Sequence, residues 1–425
     1  MSLRYRAVLL AGLLGATSAL PASSQQADTP PDTAPRITLV TFGPGTANVW
    51  ERFGHNMIRV TDPVTGFDAA YNFGVYNFAQ KHFFWNFVQG RMEYAADAWN
   101  PILALRGYAD AGRSIEAQDL ALTPEQAEAL AAKLARNVLP ENKDYRYDYY
   151  RDNCSTRVRD ALNTVLGGEI ERALSQVPTG ATYRSRTAEL TAASPGWYFT
   201  LMLLLGPATD RPLTAWEDSF IPMNFALYVE PIVNPALDGG TMPLVAASSS
   251  VPASDAVAQA TGVPSGLLGW FLVLGVLLGG GLLWAGARTG AGRGRGPFLV
   301  IGALWSFLSG LFGFAMLYLW AFTDHVVAYR NENILQASVL GLVMFGFFAG
   351  WARRGGEVPA GIAAIARAVA ILSLAGVALQ LLPWFSQVNA PALVFFVPAN
   401  LGMALGARRA VTTGATTPAP TAALP

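Results

Sequence analysis

Cys154 is the only cysteine in this chain of 425 residues, and its surroundings suit a nucleophilic thiol. From Cys154 onward, apolar residues recur at helical spacing, and a Gly-Gly pair at 167–168 ends the pattern. Asp152 and Asn153 stand where a helix N-cap belongs, since their side-chain oxygens can accept the free N–H groups of the first turn. The sequence therefore predicts a thiol at the positive end of a helix dipole, which favours the thiolate.

Three arginines, Arg151, Arg157 and Arg159, stand close to this cysteine in the sequence and would favour the thiolate further. Because the thiolate is the nucleophilic form, we expect the pKa of Cys154 to lie below the free value of ~8.5. The competing interpretation is a buried cysteine that behaves as a small apolar side chain, as free cysteines usually do. A single cysteine excludes an internal disulfide framework.

A cysteine nucleophile needs a general base, and histidine is the usual one. His82 lies within an aromatic tract and His325 in the apolar last third of the chain, whereas His55 follows Gly54 on a predicted strand. A glycine at this point allows close approach of the backbone, so His55 is the preferred base. Three histidines and one cysteine without ligand spacing do not form a zinc site, and we expect no metal and no cofactor.

Three strands are predicted upstream of the cysteine and would position the histidine; they cover residues 36–42, 54–60 and 67–74. Residues 62–66 have the composition of a turn. The second and third strands would then pair antiparallel and place His55 and Asn72 on neighbouring strands.

A capped helix and a Tyr-rich strand are predicted between these strands and the cysteine. Thr123 and Gln126 form a capping box around a proline, and the Tyr-rich run at 145–150 has the composition of a strand. The dense aromatic residues at 71–99 are expected in the core, with an acyl-chain groove or a membrane interface as the alternative. Ten apolar residues at 197–206 are too few to span a bilayer and predict a buried or interfacial segment.

The N-terminus has the pattern of a secretory signal. Two arginines precede an apolar run at 7–16 and small residues follow, so residues 1–24 are predicted to be a signal peptide. Residues 25–237 would form an extracytoplasmic domain, and residues 238–265, rich in Ala, Ser, Pro and Gly, a flexible linker. The formal net charge is zero and no basic run alternates with aromatic residues, which argues against a nucleic-acid partner.

The last third of the chain predicts a membrane domain. With 52% hydrophobic and 14% charged residues, the chain is too apolar for a single soluble domain. Five apolar segments within residues 266–408 are each about long enough to cross ~30 Å of hydrocarbon, and residues 409–425 would be a disordered cytoplasmic tail. The segments lie at about 266–286, 297–321, 334–351, 361–382 and 391–407.

The arginines predict how these segments are oriented. Arginines follow the first, third and fifth segments, whereas the loops after the second and fourth hold one and none. The positive-inside rule then places the C-terminus in the cytoplasm and residues 25–265 outside, in a multi-pass protein of the bacterial inner membrane. The outward polar loop at 323–333 is either a plain exposed loop or a contact for lipid headgroups through His325, Arg330 and Asn333.

Three short motifs carry a resemblance to a known family: Phe53-Gly-His55, Tyr71-Asn-Phe-Gly74 and Asn153-Cys-Ser-Thr156. They resemble the periplasmic domain of Lnb-type lipoprotein intramolecular transacylases, and more distantly the permuted NlpC-type and lecithin:retinol acyltransferase-like thiol enzymes. The resemblance covers roughly residues 36–232, and the polytopic C-terminal region is also similar. It implies an α+β, permuted papain-like (NlpC-like) domain followed by the bundle of five transmembrane helices.

The resemblance also implies acyl transfer through a thioester. Cys154 would attack the ester carbonyl of a lipid acyl chain, while His55 takes the thiol proton or already holds it in an ion pair. Asn72 is the candidate to orient His55. In the Lnb-type reaction the acyl chain moves to the α-amine of a lipoprotein N-terminal cysteine. Membrane lipid and lipoprotein N-termini would then be the partners.

Four residues around the cysteine complete the implied site. Backbone N–H groups at the start of the cysteine helix would bind the oxyanion, and the residues that bind or position there are Asn153, Ser155, Thr156 and Arg157. Arg157 would meet a headgroup or only solvate the helix face.

Two other functions remain open from the sequence. A papain-like amidase or peptidase acting on cell-wall peptide would share Cys154 and His55, but it needs only one membrane anchor rather than five spans. A non-catalytic envelope interaction protein would need neither residue.

Overall fold

The computed structural model describes residues 33–76, 80–253 and 263–412. The predicted signal peptide lies outside the described residues, as does the predicted cytoplasmic tail beyond residue 412. Residues 409–412 belong to the last helix rather than to a disordered tail.

Antiparallel strands build the N-terminal part of the chain. In the described ranges, seven strands form one sheet in the order β6-β4-β3-β2-β1-β5-β9, and β7 pairs with β8. The strands are β1 (Arg36–Phe42), β2 (His55–Thr61), β3 (Asp68–Tyr76), β4 (Glu93–Trp99), β5 (Ile115–Leu120), β6 (Asp144–Arg146), β7 (Pro178–Thr182), β8 (Pro212–Thr214) and β9 (Val245–Val251).

Helices surround this sheet and make up the C-terminal part. They are α1 (Phe83–Gln89), α2 (Pro101–Asp110), α3 (Pro124–Asn137), α4 (Cys154–Val165), α5 (Glu169–Leu174), α6 (Tyr183–Thr191), α7 (Pro195–Leu204), α8 (Ala215–Asp218), α9 (Pro222–Val229), α10 (Ser265–Gly290), α11 (Gly296–Phe322), α12 (Leu340–Arg354), α13 (Ala360–Leu379) and α14 (Ala390–Thr412).

The sheet is covered on both faces. On one face α3, α4 and α9 bury a core that joins strand residues such as Leu39 and Ile58 to helix residues such as Leu134 and Leu162. On the other face α2 packs through Tyr108 against a smaller cluster of β1, β2, β3 and β5 residues. The prediction of an α+β domain with an antiparallel sheet is therefore confirmed.

The first three predicted strands form with small shifts in their ends, but the Tyr-rich run does not form the long strand that was predicted. Only Asp144–Arg146 is extended, and it pairs with β4. The chain then turns because the Oδ1 atom of Asp148 accepts the backbone N–H groups of Tyr150 and Arg151. Such an Asx turn competes with strand pairing, and the aromatic composition alone did not reveal it.

The segment predicted as a flexible linker is partly structured. Val245–Val251 forms the edge strand β9 and pairs antiparallel with β5. The small residues of this segment have little preference for strands, so the sequence does not predict one. The strand forms because the unpaired edge of β5 offers backbone hydrogen bonds. Residues 254–262 of the predicted linker lie outside the described residues.

Within the described residues, five helices are long and apolar enough to cross a membrane. The prediction of five apolar helices is therefore confirmed. α10 and α14 approach closely at glycines: a Cβ on Gly279 would lie 2.2 Å from the carbonyl oxygen of Pro398, and a Cβ on Gly402 would lie 2.1 Å from that of Gly279. Small residues allow this approach, which is how helices associate where no hydrophobic effect drives them together.

One end of the helix bundle contacts the N-terminal domain. The apolar segment predicted at 197–206 forms α7, where Tyr198 stacks on Phe271 of α10 at a ring distance of 6.0 Å. Asn331, from the loop after α11, donates its Nδ2 to the carbonyl oxygen of Leu203, and Gln387, after α13, donates its Nε2 to that of Leu205. The arginine-rich loops therefore lie at the opposite end of the helices, as the charge pattern predicts.

Candidate active site

Cys154 is the first residue of α4, and Asn153 caps this helix. The Oδ1 atom of Asn153 accepts the backbone N–H groups of Ser155 at 3.0 Å and Thr156 at 2.9 Å. In return, the Oγ1 atom of Thr156 accepts the backbone N–H of Asn153 at 2.8 Å. This reciprocal capping box places the cysteine in the first helical turn, where the sequence predicted it.

The same polar side chains fasten the start of α4 to the rest of the domain. Asn153 donates its Nδ2 to the carbonyl oxygen of Phe220 at 2.8 Å, and Ser155 donates its hydroxyl to that of Ser219 at 2.7 Å. The Oγ atom of Ser155 also accepts from the Nδ2 of Asn56 at 3.1 Å. These side chains therefore position the thiol relative to β2, the strand that carries His55.

His55 begins β2, and Gly54 before it has a conformation that suits glycine. Its φ is +80°, and a Cβ there would lie 2.8 Å from the carbonyl oxygen of Phe42. The imidazole of His55 lies parallel to the rings of Phe42 and Tyr108, at centroid distances of 6.2 and 5.9 Å. Close backbone approach and aromatic stacking thus fix the ring.

Asn72 lies on the neighbouring strand and contacts the histidine. Its Oδ1 atom lies 3.1 Å from the Nε2 atom of His55, while its Nδ2 donates to the carbonyl oxygen of Ala70 at 3.1 Å. Because the Nδ2 must be the donor to a carbonyl, the Oδ1 faces His55 as an acceptor. The proton of the imidazole is therefore held on Nε2, and Nδ1 is left as the basic atom.

Cys154 lies at the end of the sheet where β2 begins. The backbone N–H groups of Asn56, the residue after His55, and of Ser155 and Cys154 itself lie close enough to the sulfur to lower the pKa of the thiol. A Cβ on Gly74 of β3 would lie 3.5 Å from the Cβ of Cys154, so glycine leaves room for the thiol. The fold thus brings the predicted nucleophile and base, 99 residues apart in sequence, to the same end of the sheet.

The ionisation of the pair differs from the prediction. Burial raises the pKa of Cys154 to about 11, and the backbone N–H groups and Arg113 lower it less than burial raises it. Burial also lowers the pKa of His55 to about 4, although its hydrogen bond with Asn72 acts in the opposite direction. At neutral pH the resting site therefore holds a neutral thiol and a neutral imidazole rather than an ion pair.

The three arginines expected to activate the thiol are engaged elsewhere. Arg157 forms an ion pair with Asp152 and lies over the ring of Tyr145 at 3.8 Å. Arg159 bonds to Asp160 and stacks over a tryptophan, and Arg151 is exposed. Proximity in sequence did not translate into proximity in space, because successive side chains of a helix point in different directions. Arg157 thus contacts Asp152 and Tyr145, both just before α4.

A cleft of about 870 Å³ opens beside His55 and Gly74. Its lining is largely aromatic and aliphatic, and includes Trp50, Phe73, Tyr76, Trp99, Leu103 and Tyr108. Arg113 also lines the cleft and is 7% exposed. The sequence analysis did not identify Tyr108 or Arg113, because a lone arginine before a short strand has no motif that distinguishes it.

The loop at 323–333 docks onto the N-terminal domain instead of lying exposed. The Nε2 atom of His325 donates to the carbonyl oxygen of Phe87 at 2.9 Å, and the imidazole stacks on Tyr149 at a ring distance of 6.2 Å. Burial lowers the pKa of His325. Asp324 bridges Arg91 and Arg146, both at 2.9 Å.

Two of the three residues predicted to contact headgroups have hydrogen-bond partners within the protein. His325 binds a backbone carbonyl, and Asn333 is fully buried, where its Nδ2 donates to the carbonyl oxygen of Leu203 at 2.9 Å. Arg330 is exposed and its backbone has a φ of +55°. In the described part of the chain, no group of three His, Cys, Asp or Glu side chains could hold a metal ion.

Comparison with known families gives a match over the first part of the chain. Residues 27–188 match the family model of the Lnb N-terminal periplasmic domain, a range that includes His55, Asn72 and Cys154. Comparisons with curated proteins and with solved structures found no match. Residues 27–188 are thus similar to the Lnb N-terminal periplasmic domain family, and five helices that are long and apolar enough to cross a membrane follow this domain in the described residues.

Proposed function

We propose that this protein is a thiol acyltransferase of the bacterial inner membrane that moves a lipid acyl chain through a thioester on Cys154. The observation that carries the proposal is that His55, which contacts Asn72, and Gly74, which lies against Cys154, both line one largely apolar cleft. A cysteine at the start of a helix and a histidine on a strand of the sheet are compatible with a permuted papain-like enzyme, and we infer that the domain belongs to that class.

In the first half-reaction, the thiol of Cys154 attacks an ester carbonyl while its proton passes to Nδ1 of His55. Because the resting pair is neutral, proton transfer accompanies attack instead of preceding it. The tetrahedral intermediate then collapses, the ester C–O bond breaks, and the alkoxide takes the proton back from His55. The products are a thioester and a free hydroxyl. An amine attacks the thioester in the second half-reaction, with His55 as its base.

The cleft suits the acyl chain of such a substrate. Its volume of about 870 Å³ lies within the range of small-molecule sites, ~300–1,000 Å³. Trp50 is 54% exposed and Leu103 is 67% exposed at its rim, which leaves apolar surface for a chain to cover. Because most of the lining is apolar, it suits an acyl chain better than a cell-wall peptide, and we rank the amidase function lower.

Helix α1 brings the domain to the lipid surface. Its last residue, Gln89, donates its Nε2 to the hydroxyl of Tyr318 near the end of α11 at 2.6 Å. From this position Phe84 and Trp85 project outward and are 80% and 59% exposed. Aromatic side chains at the end of a membrane helix suit the bilayer interface. The aromatic tract thus divides between core residues such as Tyr94 and the exposed side chains of α1, which we infer to lie at the membrane interface.

The family match supports lipoproteins as the substrates, since it associates the domain with lipoprotein processing. The test is mass spectrometry of lipoprotein N-termini from a strain that lacks this gene. We expect loss of the N-terminally acylated lyso-form and its return with the wild-type gene. Complementation by Cys154→Ala should fail. A shift to released fatty acid in place of N-acylation would favour hydrolysis, and unchanged N-termini would refute the lipoprotein substrate.

A further inference from the structure

Arg113 has hydrogen-bonding capacity that the protein itself does not use. It lies between α2 and β5, and its Nε donates to the carbonyl oxygen of Gly43 at 2.7 Å. Its guanidinium carbon lies 4.7 Å from the ring centre of Tyr108. Its Nη2 is buried and has no hydrogen-bond partner among the described residues. A buried donor left without a partner is costly, so an arginine retained in this state indicates a group that binds there.

The helix amides expected to bind an oxyanion are already occupied. The N–H groups of Ser155 and Thr156 both bond to the Oδ1 atom of Asn153. The remaining amides beside the sulfur are those of Asn56 and Cys154, so a negative oxygen on an acyl group bound to Cys154 would gain from a further, charged donor. Arg113 lines the same cleft as His55, and its charge acts on both the thiol and the imidazole.

We propose that Arg113 is the anion-binding group of this site and donates to the oxyanion that forms when Cys154 attacks an ester carbonyl. The inference rests on the proposed acyl transfer for the identity of the anion. As the sulfur–carbon bond forms, the C=O π pair moves to oxygen, where the guanidinium stabilises it. When the C=O bond re-forms, the ester C–O bond breaks and the alkoxide takes the proton of His55. No further reactant is needed.

The nearest competing anion is not paired with Arg113. Glu51 lines the cleft, and its Oε1 accepts from the Nδ2 of Asn48 at 2.6 Å. Among the described residues Glu51 forms no ion pair with Arg113, although its charge acts to raise the pKa of that guanidinium. The guanidinium therefore keeps a donor available for a ligand, while the nearby carboxylate offsets part of its charge.

The test compares alkylation of Cys154 by iodoacetate, which is anionic, and iodoacetamide, which is neutral. The full chain is used in detergent. A change in the pKa of the thiol alters both rates alike, so the ratio of the two isolates binding of an anion beside the sulfur. We expect Arg113→Gln to lower the iodoacetate-to-iodoacetamide ratio roughly tenfold, the scale of one charge-assisted hydrogen bond. Arg113→Lys should retain most of the ratio.

Arg106→Gln is the matched control, because it removes the same charge from exposed surface of α2 and should leave the ratio unchanged. If Arg113→Gln does not fold, the alkylation ratio of the wild-type protein still tests the inference. Its ratio when folded should exceed its ratio in denaturant, and an equal or lower ratio would overturn the inference. An unchanged ratio in folded Arg113→Gln would also overturn the inference.

Turnover then separates this inference from the proposed function. With an acyl ester substrate, Arg113→Gln should lower kcat about 10²-fold and change KM little, as expected for a donor that acts in the transition state. If Arg113→Gln lowers the alkylation ratio while the wild-type protein forms no acyl adduct with the ester, the anion site stands and acyl transfer is refuted. Normal kcat in folded Arg113→Gln would overturn the assignment of the oxyanion.

Discussion

The Nε2 atom of His55 lies 3.1 Å from the Oδ1 atom of Asn72, and the amide of Asn72 is itself held by the carbonyl oxygen of Ala70. The strand pairing explains how these two side chains meet. β2 and β3 run antiparallel with Met57 opposite Asn72, so residues two apart on the same face of β2 come within reach of one amide. The contact fixes one tautomer of His55.

Asn72 should therefore control the base without acting as one. We expect Asn72→Ala to lower kcat/KM by about 10- to 100-fold, the cost of loosening a catalytic group. Asn72→Asp keeps an acceptor but adds a negative charge, which should raise the pKa of His55. The acidic limb of the kcat/KM profile should then move to higher pH. Thermal unfolding of each variant controls for stability, and an unshifted acidic limb in Asn72→Asp would contradict the contact.

Replacing Cys154 or His55 should cause the same loss of activity. Either Cys154→Ala or His55→Ala should abolish turnover, and the double variant should be scarcely worse, because a nucleophile and its base act as one unit. His82→Ala is the control, since His82 is exposed ahead of α1. An acyl donor should leave a hydroxylamine-sensitive adduct on Cys154 of the wild type. Full activity in Cys154→Ala would end the thiol-enzyme proposal.

The pH dependence should reflect a neutral pair. With the pKa of His55 at about 4 and that of Cys154 at about 11, both groups keep their resting protonation between these values. We expect kcat/KM to stay flat across neutral pH and to fall as pH drops towards 4, where the imidazole loses its basic form. Iodoacetamide alkylation should keep rising above pH 9. An alkylation profile with its midpoint below the free thiol value of ~8.5 would contradict the neutral pair and support an activated thiolate at Cys154.

Helix α1 should matter only for substrates held in a bilayer. Replacing both Phe84 and Trp85 with serine should lower the rate on a vesicle-bound lipid ester by roughly tenfold, because apolar contact with the interface is lost. The rate on a water-soluble short-chain ester should not change. Val64→Ser is the control, since Val64 is 67% exposed on a turn of the N-terminal domain. Equal losses on both substrates would indicate damage to the fold.

The two ends of the helix bundle should face different compartments. Reporter fusions after Gly290 and after Val326 are expected to report the cytoplasm and the periplasm, respectively. Gly290 ends α10 beside the arginines, whereas Val326 follows α11 next to the docked His325. Reporters in the same compartment would refute the five-span topology.

Sequence patterns within a single helix or strand were sufficient to predict features that depend on short-range interactions. The N-cap at Asn153, the capping box at Thr123 and the five apolar helices follow from short-range hydrogen bonds or from hydropathy, and each formed as predicted. The antiparallel placement of His55 next to Asn72 also followed from the sequence, because a short turn between two strands leaves few alternatives for their pairing.

Tertiary structure alone decided the properties that depend on distance and burial. Charge near Cys154 in the sequence predicted a thiolate, yet the arginines point elsewhere and burial raises the pKa of the thiol to about 11. Arg113 became part of the site only because α2 and β5 carry it to the cleft. The sequence predicts that the loop at 323–333 is exposed, whereas in the structure its His325 contacts Phe87 and Tyr149. Electrostatic and burial energies depend on neighbours in space, which sequence spacing does not determine.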